Sequence, residues 1–151
     1  MWPWWLVGRG RGRGGAEAIL DGAETLYRQL RQVDPDCAEP SAWASLVGAF
    51  GRIPAEYPTS PLAGDALWRV GDIHSRLAQS GDHTSVRPAI EAYGALTSRY
   101  PDSTYAPEAY LRLGNLSRGT VAEAYYLQLR RSYPSSLRTG GASCRERESA
   151  T

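Results

Sequence analysis

Few residues in this 151-residue chain could do acid–base, nucleophilic or metal chemistry. His74 and His83 are the two histidines, and a metal site would have to join them to Asp72 or Asp82. The spacing is against it. His74 falls in a helical run, His83 falls in a loop behind Gly81, and no H-E-x-x-H or related pattern occurs. His74 therefore reads as a half-buried structural histidine. Ser60, Ser103 and Ser136 each stand just after a Tyr-Pro pair, where turn and cap hydrogen bonding gives them a role without catalysis. There is no G-x-S-x-G, Walker loop or dinucleotide fingerprint. The run GRGRGRGG at residues 8–15 superficially resembles a phosphate loop but lacks the strand before it and the Lys after it. The sequence thus predicts no catalytic residue, no metal site and no cofactor.

The elements that would have to position any site come from a repeat. The stretch YPTSPLAGDALWRVG at residues 57–71 returns as YPDSTYAPEAYLRLG at residues 100–114, and a third start, YPSS, stands at residues 133–136. Alignment pairs Ala63 with Ala106, Ala66 with Ala109, Arg69 with Arg112 and Gly71 with Gly114. Recurrence at this spacing is the mark of stacked structural repeats. Each unit is a helix, a turn and a second helix, closed by Tyr-Pro. The first offset is 43 residues and the second 33, and the extra length is expected in the loop Gln79–Thr84.

Hydrophobic spacing predicts six helices. The first covers Ala16 to about Val33, with Ala16, Ile19, Ala23, Leu26, Leu30 and Val33 inward and Tyr27 beside them, and Asp34-Pro35-Asp36 ends it. The second runs from Ser41, a plausible N-cap, to Tyr57, with a kink or early end expected at Pro54. The third runs from Pro61 to Ala78, the fourth from Ser85 to Tyr100, the fifth from Thr104 to Leu116 and the sixth from Thr120 to Tyr133.

Outside residues 16–136 the pattern stops. Residues 1–15 are rich in Trp, Arg and Gly, and glycine at that density disfavours a helix. Residues 137–151 have no apolar period and read as a disordered tail. All 17 basic residues are Arg, the net charge is +1, and between Ala16 and Ser136 acids outnumber Arg. A basic face for nucleic acid is therefore not indicated. The alternative, RNA association through the Arg-Gly tail, rests on three Arg that attract phosphate only weakly. Cys37 and Cys144 form no C-x-x-C and read as unpaired thiols. No stretch approaches the ~20 apolar residues of a membrane span, and Met1–Val7 is too short for a secretory signal.

With these residues laid out, the chain resembles the tetratricopeptide repeat family. Ala66, Leu67, Val70, Gly71, Ala89, Tyr93, Leu96 and Pro101 follow its small and large positions. Ala109, Tyr110, Leu113, Gly114, Ala122, Tyr126, Leu129 and Pro134 follow them again. The long Tyr-Pro-x-Ser-x-x-Ala turn is similar to that of bacterial cell-envelope repeat proteins. These are the outer-membrane assembly lipoprotein, the periplasmic cell-division coordinator and the repeat region before the catalytic domain of some N-acetylmuramoyl-L-alanine amidases. An export signal, a lipid-attachment Cys and an amidase domain are not recognisable here.

The resemblance implies an all-α, right-handed α-solenoid of about three antiparallel helix pairs, and a partner groove along the first helix of each pair. Carried over, the groove positions are Asp65, Trp68, Arg69, Asp72 and Ser75, then Glu108, Leu111, Arg112 and Asn115. Two readings of this row stand side by side. In one, Trp68 offers an apolar face and the arginines pair with carboxylates of a protein or peptide, so that Trp68→Ala weakens binding with little loss of helix. In the other, the row is an ordinary solvated face, or Trp68 packs on the preceding helix. The expected function is a non-catalytic scaffold in the periplasm or cell envelope, with an amidase repeat region as the alternative. An uncapped last pair could form a homodimer.

Overall fold

The computed structural model describes residues 12–33 and 38–136. Six α-helices account for the regular structure there: α1 Gly12–Leu30, α2 Pro40–Glu56, α3 Leu62–Gln79, α4 Val86–Arg99, α5 Ala106–Leu116 and α6 Gly119–Ser132. A single 3-10 turn, His83–Ser85, leads into α4, and no strand occurs among the described residues. Each helix packs chiefly on its neighbours in sequence, and α1 also reaches α3. No described helix is long and apolar enough to cross a membrane. The predictions for residues 1–11, Asp34–Cys37, Cys144 and the last fifteen residues lie outside the described part.

Two cores follow from the spacing of apolar residues. The first joins Ala16, Ala23 and Tyr27 of α1 to Trp43, Leu46, Phe50 and Ile53 of α2 and to Ala63, Ala66 and Ile73 of α3. The second joins Leu67 and Trp68 of α3 to Ala89, Tyr93 and Leu96 of α4 and to Ala106, Ala109 and Leu113 of α5, with Tyr110 packed against it. Helix α3 is therefore shared between the two cores, Ala63, Ala66 and Ile73 facing the first and Leu67 and Trp68 the second. Gly71 and Gly114 are needed for close approach: a Cβ at either would run into the ring of Tyr93 or Tyr126. The repeat thus recurs at the level of individual contacts.

The turns recur too. Ser60 Oγ accepts from Leu62 N at 3.2 Å, and Ser103 Oγ accepts from Tyr105 N at 3.3 Å, so both serines satisfy a free N–H at a helix start. Tyr100 Oη donates to the Pro58 carbonyl at 2.8 Å, and Tyr133 Oη donates to the Pro101 carbonyl at 2.6 Å.

Several expectations need correction. Helix α1 begins at Gly12, inside the segment expected to be irregular. Packing explains it: Gly15 meets the Tyr57 hydroxyl so closely that a Cβ would clash, so this glycine serves approach and its poor helix propensity is overridden. The same helix stops at Leu30, and Leu26 and Val33 are exposed. Ala16, Ile19, Ala23, Tyr27 and Leu30 do face the core, and Leu20 joins them. Helix α2 starts at Pro40 with Glu39 at the cap position, so Ser41 is not the N-cap; Pro at the first turn needs no donor. Pro54 is buried in the last turn of α2, which closes at Glu56. The fifth helix starts at Ala106, after a turn that holds Thr104 and Tyr105.

The extra length of the middle unit is also placed differently. Helix α3 has 18 residues and α5 has 11. Under the alignment, α5 stops opposite Ile73, so residues 74–79 extend α3 before the loop begins. The segment His74–Ser85, half helix and half loop, stands where the last unit has only residues 117–118, and this accounts for the difference between the two offsets.

Candidate functional site

Helices α3 and α5 carry the predicted groove row, and most of that row is occupied by the fold itself. Trp68 is only 8% exposed. Its indole stacks on Tyr105 at 5.1 Å between centroids and 8° between planes, and it lies tilted against Tyr93 at 5.4 Å. The expected exposed apolar face is thus a core contact, made with the following helix and turn, not with the preceding helix. The expectation that Trp68→Ala costs little helix assumes an exposed indole; here the ring packs against Tyr105, which lies in the turn leading into α5.

The polar members of the row pair within the chain. Arg69 bridges to Glu24 of α1 at 2.5 Å and lies 5.2 Å from the Tyr27 ring centroid. The Tyr27 hydroxyl donates to Asp72. Burial, and then that hydrogen bond to a carboxylate, raise the Tyr27 pKa well above the usual phenol value. Ser75 is buried and shares a 3.2 Å hydrogen bond with the Tyr93 hydroxyl, whose pKa burial pushes up to about 12. On α5, Arg112 pairs with Glu108 at 3.1 Å along the helix, and Asn115 Oδ1 accepts from the Tyr126 hydroxyl at 2.8 Å. Asp65 and Leu111 are left. Burial raises the Asp65 carboxyl pKa despite the opposing charge of Arg69, and Leu111 is 37% exposed. Trp68, Arg69, Asp72, Ser75 and Asn115 are thus tied to other elements, Glu108 and Arg112 pair along α5, and Leu111 is the exposed apolar member of the row.

A second feature was not predicted. Between the N-terminal half of α2 and the His74–Ser85 insertion lies a cleft of about 740 Å³. Trp43, Ala44 and Val47 form one wall, and His74, Leu77 and Ser85 stand on the other. Asp82 organises the loop: it accepts from Thr84 N at 3.1 Å, from the Thr84 hydroxyl, and from the Ser85 hydroxyl at 2.6 Å. Those bonds, from Ser85 first, hold its pKa below the ordinary carboxylate value. His74 Nδ1 sits 3.5 Å from Ser85 Oγ. Burial lowers the His74 pKa, with the Asp82 charge opposing, so the imidazole is neutral near pH 7.

A Ser, a His and an Asp in one cleft invite a catalytic comparison, and the order of the bonds argues against it. Ser85 Oγ donates to Asp82 and His74 Nδ1 lies 3.5 Å off, so the order differs from a Ser–His–Asp relay, in which the imidazole takes the serine proton and the carboxylate holds the imidazole. Among the described residues no three His, Cys, Asp or Glu side chains are grouped to hold a metal. The sequence signals for this cleft were the lone His74 and the unequal repeat offsets. Neither revealed it, because its other wall is 30 residues upstream and the contact is tertiary.

Set beside known proteins, the chain matches no family model, no curated protein and no solved structure.

Proposed function

We propose that this chain is a non-catalytic tetratricopeptide-type scaffold, a right-handed superhelix of three helix pairs, that holds a protein partner in a bacterial cell envelope. The envelope part of the reading rests on the likeness of the Tyr-Pro-x-Ser-x-x-Ala turns alone. The scaffold part is supported by the repeated contacts of Gly71 with Tyr93 and Gly114 with Tyr126.

One observation carries the partner. The large exposed apolar residues fall on the two end pairs and spare the middle one: Leu26 and Val33 at the start, and Leu111, Val121 (53% exposed) and Leu127 (48% exposed) at the end. In a repeat stack each unit is covered by the next. Leu111 occupies the position that in the middle unit is Trp68, which the next unit covers. Among the described residues nothing covers Leu111, Val121 and Leu127, which makes them a surface for an apolar partner, and a second copy of the chain is one such partner.

The test is site-specific photocrosslinking in cells, with the probe placed at Leu111 or Val121 and, as control, at Arg87, an exposed residue on the middle pair. Discrete adducts at the first two positions and none at Arg87 are expected. An adduct of twice the chain mass would identify a homodimer. No adduct at either apolar position would end the scaffold reading.

A further inference from the structure

The two ends of the stack carry complementary halves of the contact that joins its units. Inside the chain, each later first helix docks on the unit before it through small residues followed by large ones. These are Ala63, Ala66, Val70 and Ile73 on α3, and Ala106, Ala109, Leu113 and Leu116 on α5. The same order stands on the outer side of α1. Ala18, Gly22 and Leu26, with Val33 in the turn that follows, recur at helical spacing on one stripe, and all four are exposed. A Cβ at Gly22 would meet nothing within 4 Å.

The other end has the receiving half. Under the repeat alignment, Tyr110 and Tyr125 stand where the middle unit has Leu67 and Ala92. Leu67 and Ala92 are buried, and Leu67 shares a core with Ala106, Ala109 and Leu113 of the following helix. Tyr110 and Tyr125 are only half-buried. The Tyr110 ring lies 6.5 Å from that of Tyr125 and 6.0 Å from that of Tyr133, so the three form one aromatic cluster. Val121 is 53% exposed and stands one turn before Tyr125, which extends the cluster along α6.

We infer that a second copy of this chain docks the outer stripe of its α1 on the tyrosine face of the last pair, as α5 docks on α4 within the chain. The inference rests on the reading of the last pair as an uncovered surface, and it names what covers it. Charge favours this contact over a two-fold pairing of last units. Arg118, Arg130 and Arg131 are exposed on the last pair against one exposed acid there, Glu123, and two such faces would repel each other. Helix α1 instead presents Glu17 and Asp21 beside Ala18. Each copy brings one docking end and one receiving end. The contact is therefore heterologous, and copies add head to tail without stopping at two.

The test is sedimentation velocity of the purified full chain over a wide range of concentration. The average mass should rise through the dimer to larger species. Gly22→Arg obstructs the docking stripe and Val121→Arg the receiving face. Both positions are exposed, so circular dichroism should report unchanged helix in each variant. Either variant alone should associate roughly tenfold more weakly or worse. An equimolar mixture of the two should form a dimer and go no further, because each variant keeps one intact half. A chain that stays monomeric at every concentration, as it would if its own terminal segments covered both faces, overturns the inference. So does association of the unaltered chain that ends at a dimer, or association that Gly22→Arg leaves unchanged. Crosslinks from Leu111 to another protein, in a chain that stays monomeric when purified, would leave the scaffold reading standing. Head-to-tail association of the purified chain with no crosslink at Leu111 or Val121 in cells would keep this contact and remove the scaffold reading.

Discussion

The middle and last helix pairs are built to one plan and live in different surroundings. In both, a glycine admits a tyrosine ring, a serine opens the first helix and a tyrosine closes the second. Yet Tyr93 is fully buried, while Tyr126 is half-exposed. Trp68 is sealed under Tyr105, while Leu111 faces outward. Arg69 makes its ion pair across to α1, while the ion pair of Arg112 stays within its own helix and its guanidinium lies 6.0 Å from the Trp68 ring centroid. The same residue type at the same position is thus structural in one unit and superficial in the next. In a linear array, a unit's stability is set as much by its neighbours as by its own sequence.

Three paired measurements, and a fourth confined to the middle unit, test that contrast. The largest effect should come from truncating the aligned pair. Trp68→Ala should cost about 3–5 kcal/mol in denaturant unfolding, as for other buried tryptophans, whereas Leu111→Ala should stay within about 0.5 kcal/mol. Comparable losses at both positions would mean that the last pair is as well covered as the middle one. Next come the close approaches. Gly71→Ala should cost about 2–3 kcal/mol by overpacking against a ring that cannot move. Gly114→Ala should cost roughly 1 kcal/mol or less, because Tyr126 has solvent to swing into. Equal costs would show that Tyr126 is as fixed as Tyr93.

The ion pairs should differ less. Glu24→Gln breaks a half-buried tie between α1 and α3 and should cost about 1 kcal/mol. Glu108→Gln breaks a more exposed i,i+4 pair and should cost about 0.3–0.5 kcal/mol. The smallest effect is a proton linkage confined to the middle unit. The His74 pKa is lowered by burial, so the unfolded chain takes up this proton at a higher pH than the folded chain does. The stability contributed by neutral His74 is present above the ordinary histidine value of about 6.5 and is lost as pH falls through it toward the folded value. Thermal midpoints measured across that window should slope downward with acid, and His74→Gln should flatten the slope. An unchanged slope would place the linkage elsewhere.

The helices and their Tyr-Pro turns were legible in the sequence because local spacing encodes them. Ala63, Ala66, Gly71 and their partners at Ala106, Ala109 and Gly114 repeat in sequence and again in contact. The fate of Trp68 was not legible. Its environment is set by Tyr105, 37 residues on, and the alignment said only that a large apolar side chain stood there. The start of α1 was misread for a related reason: glycine's weak helix propensity is local, and the demand made by Tyr57 is tertiary. The cleft escaped because it joins α2 to an insertion, and insertions fall outside a repeat's own pattern.

The tyrosine hydroxyls that reach back to the carbonyls of Pro58 and Pro101 span 42 and 32 residues of chain by the same bond. They clamp one edge of the stack at a fixed pitch, whatever lies between. The opposite edge, where the hairpin loops are, is free to grow or shrink without throwing the next unit out of step. That asymmetry makes the hairpin-loop edge the place where such an array can acquire new lengths of chain, and where a designer could splice them in.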